Sequence, residues 1–70
     1  MVVPQATEHT IRDRLGQAIR EGDKVRVAGL PDPADVQVID PRYGVMVVLV
    51  PGRTGKMGRM VRAREVERAG

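Results

Sequence analysis

The sequence predicts an α+β domain in which one N-terminal amphipathic helix packs on a four- or five-stranded, strongly bent antiparallel sheet. Three observations carry this prediction. Apolar residues recur with a helical period over residues 8–21, they alternate with polar residues from position 23 onward, and Pro or Gly separates the later segments,. A chain of 70 residues has room for one such domain,.

The N-terminal part divides into a flexible arm, residues 1–6, and a helical segment, residues 7–22. The arm should fray unless it pairs with another element. In the helical segment, Thr7 or Thr10 can act as the N-cap and Gly22 as the residue that ends the helix. The apolar side chains that define one helical face are Ile11, Leu15, Ala18 and Ile19,.

Two strands are predicted after the helix. In the first, residues 23–28, apolar and basic side chains alternate, as in a strand with one buried face,. The second covers residues 34–40, and Val36 and Val38 are expected on one face. Between them, residues 29–33 contain two prolines, which remove backbone N–H donors and favour a loop,.

A hairpin is predicted in the C-terminal half. Residues 40–44 read Asp-Pro-Arg-Tyr-Gly, a turn in which proline fixes φ and the final glycine allows a positive φ,. The uninterrupted apolar run 45–50 is typical of a strand covered on both faces, either by the helix or by another chain,. Residues 51–56 are the flexible tip of the hairpin, and residues 57–62 return as a basic strand.

The C-terminal tail, residues 63–68, leaves two alternatives open. Its Glu and Arg residues favour a helix, but a segment this short is not stable alone,. A brief turn at 63–65 followed by a short closing strand at Val66 fits equally well.

The opening strand Gly-Asp-Lys-Val-Arg-Val, the short strands after it and the closing Val-Arg-Ala-Arg-Glu-Val-Glu resemble those of SH3-like small β-barrels. The resemblance covers about residues 22–68 and leaves the predicted helix as an addition. It implies a fold and transfers no site. Peptide-binding SH3 domains line their groove with aromatic residues, whereas Tyr43 is the only aromatic residue here.

Composition argues against several classes of site and location. There is no cysteine, one histidine and a scattered set of carboxylates, so we expect no disulfide, metal site or cofactor,. The longest apolar run has six residues, far fewer than the roughly 20 of a membrane-spanning helix, so no membrane partner is expected,. The start lacks the features of a secretory signal. We therefore expect a cytoplasmic protein, or one inside a larger particle such as a virion.

Enzymatic chemistry finds little support in the residues present. The chain has no serine, and its single histidine, His9, lies in the first turn of the predicted helix,. Gly55 and Lys56 are similar to part of a phosphate-binding P-loop, but Val50 stands where the first glycine belongs and Met57 where Ser or Thr belongs,. We expect no enzyme and no catalytic residue.

Charge distribution supplies the main functional hypothesis. The net charge is +3, and residues 41–64 contain no acid. This asymmetry predicts an anionic partner, and phosphates of duplex DNA or structured RNA suit it better than single strands because aromatic stacking residues are scarce. An acidic protein surface is the other partner considered. The candidate contact residues are Arg42, Arg53, Lys56, Arg59, Arg62 and Arg64.

The alternative hypothesis is a structural or adaptor subunit of a virion, a head–tail connector or an enzyme complex. A small aliphatic core and a flexible arm both favour completion by a partner, as a homo-oligomer or in a larger assembly. Methionines provide adaptable packing surface. The candidate interface residues are Val45, Met46, Val48, Met57 and Met60.

Overall fold

The computed structural model describes residues 10–69, and these residues adopt an all-β fold. The strands are β1 (Ile11–Arg12), β2 (Ala18–Ile19), β3 (Lys24–Arg26), β4 (Ala34–Asp40), β5 (Val45–Pro51), β6 (Lys56–Arg62) and β7 (Glu67–Arg68). A 3₁₀ turn, Ala63–Glu65, precedes the last strand. Strands β3 to β7 form one antiparallel sheet in the order β6-β5-β4-β3-β7, and β1 pairs with β2 in a separate two-stranded sheet.

The N-terminal helix predicted over residues 8–21 is wrong, and with it the α+β class. The described part of that range is a β-hairpin in which Ile11 pairs with Ile19. Within residues 10–69 the only helical element is the 3₁₀ turn. Residues eight apart fall on one side of both a helix and a short hairpin, so the apolar spacing fits either structure. Thr7, His9 and the arm lie outside the described residues.

Local hydrogen bonds of Asp13 explain why the hairpin replaces the helix. Its Oδ1 accepts the backbone N–H groups of Leu15 at 2.9 Å and Gln17 at 2.8 Å, an arrangement in which a short polar side chain competes with helical backbone bonding. Gly16 adopts φ 81°, which no α-helix contains,. Leu15, expected on the apolar face, is 55% exposed at the tip of the turn.

The same carboxylate ties the N-terminal hairpin to the other end of the chain. Asp13 is 5% exposed, and its Oδ2 accepts the N–H of Arg68 at 2.7 Å. Nearby, the N–H of Arg14 donates to the carbonyl of Val66 at 3.0 Å. Burial raises the pKa of Asp13, but the N–H donors of Arg68, Gln17 and Leu15 lower it, and the net pKa lies below its ordinary value,.

The core is aliphatic and lies on one face of the bent sheet, closed by the β1–β2 hairpin and the 3₁₀ turn. Every strand except β7 contributes a buried side chain. The largest fully buried side chains are Ile19, Met46, Val25, Val48 and Val66.

Strand β4 departs from the predicted alternation. Val36 is 3% exposed but Val38 is 49% exposed, so the prediction that the two share one face is wrong. The register against β5 shifts between these residues, and such a bulge moves the following side chains to the opposite face. Ile39 consequently takes the next buried position.

The predicted hairpin of residues 45–62 is confirmed as β5 and β6. Only one face of β5 is fully covered: Met46, Val48 and Val50 are buried, while the side chains between them are half-buried on the outer face. No helix in residues 10–69 covers that outer face. For the tail, the alternative of a turn at 63–65 and a short closing strand is confirmed, with the strand at Glu67–Arg68, directly after the predicted Val66. The SH3-like assignment stays a prediction.

Candidate functional site

The predicted basic residues do not form one continuous surface. Val45 pairs with Arg62 at one end of the β5–β6 hairpin, and Pro51 pairs with Lys56 at the other. Six residue steps along a strand separate the two ends by about 20 Å. Arg42 and Arg64 lie at the first end, Arg53 lies at the second, and Arg59 lies midway on β6.

The first end contains a pocket with a volume of about 540 Å³, which we call the arginine pocket. It is built from three separate chain segments, namely β1, the turn between β4 and β5, and the end of β6 with the 3₁₀ turn. Among residues 10–69, no acidic residue lines it. The lining residues are Ile11, Arg12, Tyr43, Gly44, Val45, Arg62, Ala63 and Arg64.

The turn between β4 and β5 presents an aromatic ring at this pocket. The N–H groups of Tyr43 and Gly44 donate to the carbonyl of Asp40 at 3.2 and 2.9 Å, and Gly44 adopts φ 68°. The turn leaves Tyr43 72% exposed. The guanidinium of Arg42 lies 5.7 Å from the centre of its ring, within the range of a cation–π contact,.

The other walls of the pocket are fixed by backbone and side-chain bonds. The N–H of Ala63 donates to the carbonyl of Gly44 at 2.9 Å, which holds the end of β6 against the turn. Arg62 and Arg64, the residues on either side of Ala63, both line the pocket. From β1, Arg12 donates through Nη1 to the carbonyl of Gly16 at 2.7 Å, which orients its guanidinium and leaves further N–H donors,.

Within the described residues, no ion pair neutralises the arginines that line the arginine pocket, although Asp40 lies in the adjoining turn and its Oδ1 accepts the N–H of Arg42 at 3.2 Å. Glu67 instead pairs with Arg14 at 2.8 Å, and Glu65 lines a different surface together with that same pair. Clustered charge of one sign attracts counter-ions and charged ligands, so this end of the molecule is suited to an anion.

The hairpin tip, residues 51–56, is electrostatically different. Lys56 Nζ lies 3.9 Å from Asp35 Oδ2, and Asp35 Oδ1 accepts a hydrogen bond from Lys24 at 2.6 Å. The hydrogen bond and charge of Lys24 lower the pKa of Asp35. A pocket of about 210 Å³ beside the tip is lined by Lys56 but also by Asp32. Arg53 is exposed and, within the described residues, has no ion pair.

The candidate interface residues fall into two classes. Met46 and Val48 are 1% and 0% exposed in the core, so they are not available to a partner. Val45 is half-buried and lines the arginine pocket. Met57 and Met60 are 55% and 68% exposed on edge strand β6.

Sequence reasoning missed Arg12. It lies outside the apolar face of the predicted helix, and it lies outside the acid-free interval 41–64 from which the contact residues were chosen. The spacing of Asp13 and Gly16 was the signal that could have indicated a turn there, and a hairpin would have placed Arg12 on a strand.

No helix in residues 10–69 is long and apolar enough to cross a membrane. The same residues contain no group of three or more His, Cys, Asp or Glu side chains arranged to hold a metal ion. No family model matches the chain, and neither curated proteins nor solved structures give a significant match. The functional conclusion therefore rests on the geometry and charge of the site.

Proposed function

We propose that this protein is a non-enzymatic binding module that contacts nucleic-acid phosphates through the arginine pocket and the basic strand β6. The observation that carries the proposal is the convergence of Arg12, Arg62 and Arg64 on one pocket that no acidic side chain of residues 10–69 lines. Arg42 adds a fourth guanidinium beside it. Guanidinium groups match phosphate because their N–H donors can bind two oxygens at once.

Exposed arginines farther along the β5–β6 hairpin supply separate phosphate contacts. Arg59 is exposed midway along the edge strand, and Arg53 lies at the tip. Lys56 contributes less because Asp35 lies within ion-pair distance. If about four phosphates are neutralised, the logarithm of affinity for a duplex should fall with the logarithm of salt concentration with a slope of roughly −4.

A second function keeps support from a different observation. Val38 and Met60 are 49% and 68% exposed on the outer face of the sheet, on either side of half-buried Val47. An adaptor or structural subunit would cover such a face with a partner protein. The nucleic-acid proposal is favoured because the arginine pocket is built from three segments and lined by three arginines, whereas this face belongs to one sheet.

The test is a titration of duplex DNA and a structured RNA hairpin at several salt concentrations between about 50 and 200 mM. Arg62→Gln with Arg64→Gln should weaken binding about tenfold or more and make the salt slope shallower by about 2. The matched control is Arg20→Gln with Arg26→Gln. Both control residues are exposed and lie outside the arginine pocket.

Two results would contradict the proposal. One is the absence of binding, at the lowest salt concentration, to both the duplex and the RNA hairpin, whose loop nucleotides are unpaired. The other is an equal loss of affinity in the pocket variant and the control variant, which would mean that net charge alone governs binding.

A further inference from the structure

We infer that the arginine pocket holds one unpaired nucleotide of a DNA or RNA strand, with its base stacked on Tyr43 and its phosphate bound by Arg12, Arg62 and Arg64. This inference rests on the proposed function and names the ligand class of the same site. It replaces the expectation that duplex or base-paired RNA is the preferred partner.

Tyr43, the only aromatic residue in the chain, lines the arginine pocket. Tyr43 is 72% exposed and takes no part in the core, which is aliphatic. The turn 40–44, closed by hydrogen bonds to the carbonyl of Asp40, places Tyr43 among the residues that line the pocket. Aromatic rings held beside basic grooves are the surfaces on which single-strand binders stack bases. One ring is enough for one nucleotide.

The lining of the arginine pocket combines apolar side chains with guanidinium groups. Ile11, Val45 and Ala63 give the pocket apolar walls, and the lining arginines supply donors. A nucleotide has the same two parts, a flat base with apolar faces and an anionic phosphate. The volume of about 540 Å³ lies within the range of small-ligand sites,.

Paired and unpaired nucleotides differ in whether their bases can reach the ring of Tyr43. In a duplex the bases are stacked inside, so only phosphates and groove edges can meet the protein. An unpaired nucleotide can turn its base out onto an aromatic side chain. The Arg42 guanidinium, 5.7 Å from the ring centre, adds a second planar group at the same place. A pocket with an aromatic ring in its lining therefore favours a single strand over a duplex.

The experiment uses three ligands of matched sequence: a short single-stranded oligonucleotide, its duplex, and the same single strand with abasic sites. The variants are Tyr43→Leu, which removes the ring, and Tyr43→Phe, which keeps it; neither changes the charge. We expect Tyr43→Leu to weaken single-strand binding by about five- to one-hundredfold, the range found for base–aromatic stacking. Tyr43→Phe should stay within about twofold of the wild type, and duplex binding should not respond to either change.

Intrinsic fluorescence provides an independent measurement, because Tyr43 is the only Tyr and the chain has no Trp. Stacking of a base on the ring should quench its emission when the single strand is added, and the abasic strand should quench much less. Circular dichroism of both variants checks that the fold is retained.

Each outcome decides one of the two proposals. If Tyr43→Leu binds the single strand as tightly as the wild type while Arg62→Gln with Arg64→Gln binds weakly, the nucleotide inference is wrong and the phosphate-binding function stands. Equal affinity for the abasic strand also overturns the inference. Binding of a free mononucleotide without binding of the oligonucleotide would assign the pocket to a free nucleotide and overturn the strand-binding claim. If no nucleic acid binds at low salt, both proposals fail.

Discussion

The two ends of the β5–β6 hairpin look alike in sequence and differ in structure. Both combine glycine with basic side chains. At the pocket end, Val61 and Ala63 are buried in the core, so Arg62 and Arg64 project from anchored backbone. At the tip, residues 56–60 of β6 are all exposed and Asp35 lies within reach of Lys56. The density of basic residues does not define a site; anchoring to the core and the absence of a neutralising ion pair among residues 10–69 do.

The largest difference between the ends should appear when a methionine is truncated. Met46→Ala removes a side chain that is 1% exposed, and we expect the free energy of unfolding to fall by about 2–5 kcal/mol. Met57→Ala at the tip removes one that is 55% exposed and should change it by less than about 0.5 kcal/mol. Urea unfolding followed by circular dichroism measures both. Met46→Leu, which keeps the volume, should cost less than about 1.5 kcal/mol.

Equal destabilisation by Met46→Ala and Met57→Ala would show that the hairpin is packed evenly along its length, against the contrast drawn between its ends. A domain of this size is expected to have only about 3–5 kcal/mol of stability. Partial unfolding of Met46→Ala in the absence of urea would therefore agree with the prediction.

Removal of the Asp13 carboxylate should produce the next largest effect. Asp13→Ala leaves the N–H groups of Leu15, Gln17 and Arg68 without their acceptor and removes one of the bonds that tie the N-terminal hairpin to the C-terminal strand. We expect a loss of about 3 kcal/mol by urea unfolding, since hydrogen bonds to charged groups contribute about 1.5–3 kcal/mol each and water recovers part of the loss.

Two control variants sharpen this prediction. Asp13→Asn keeps an acceptor for Leu15 and Gln17 but turns an N–H₂ group toward the N–H of Arg68, so its cost should be intermediate. Asp35→Ala removes the exposed carboxylate near the tip and should have little effect on stability,. If Asp35→Ala proves as damaging as Asp13→Ala, the anchoring role assigned to Asp13 is wrong.

Asp13 also shows where sequence reasoning stopped. The strands from residue 24 onward follow local signals, because alternation and Pro or Gly punctuation lie within a few residues of each strand. The N-terminal hairpin is also tied by a bond between Asp13 and Arg68, 55 positions apart. The apolar spacing of Ile11 and Ile19 fits both a helix and a hairpin, so the only local signal for the hairpin was the turn residues Asp13 and Gly16,.

The candidate site was predictable in its residue types but not in its grouping. The acid-free interval predicts the basic residues as one set. Their division into a pocket and a tip depends on strand register, and the membership of Arg12 depends on the hairpin that was mistaken for a helix. Burial of Met46 and Val48 likewise depends on which face of β5 meets the core, which an uninterrupted apolar run does not specify.

A smaller effect is expected when charge is removed from each end in turn. Arg62→Gln with Arg64→Gln should reduce nucleic-acid affinity about tenfold at low salt, whereas Arg53→Gln with Lys56→Gln should reduce it about twofold, since Lys56 is partly neutralised by Asp35,. Fluorescence anisotropy with one labelled oligonucleotide measures both variants under identical salt. A greater loss from the tip variant would move the contact surface to the hairpin tip.

The smallest effect is a pH dependence that separates the two carboxylates. The pKa of Asp13 is lower in the folded protein than its ordinary value because the N–H donors of Arg68, Gln17 and Leu15 outweigh the effect of burial, which raises it. Its stabilising contribution is therefore fully present above the pKa of an unfolded Asp, about 3.9, and is lost as the pH falls through the lower folded pKa.

Urea unfolding between about pH 7 and pH 2 should show stability falling below about pH 4 in the wild type. Asp35→Asn should keep most of that fall, because Asp35 is exposed and its pKa is lowered mainly by the hydrogen bond and charge of Lys24. Asp13→Asn should lose it, and a fall that disappears in Asp35→Asn instead would assign the acid sensitivity to the tip.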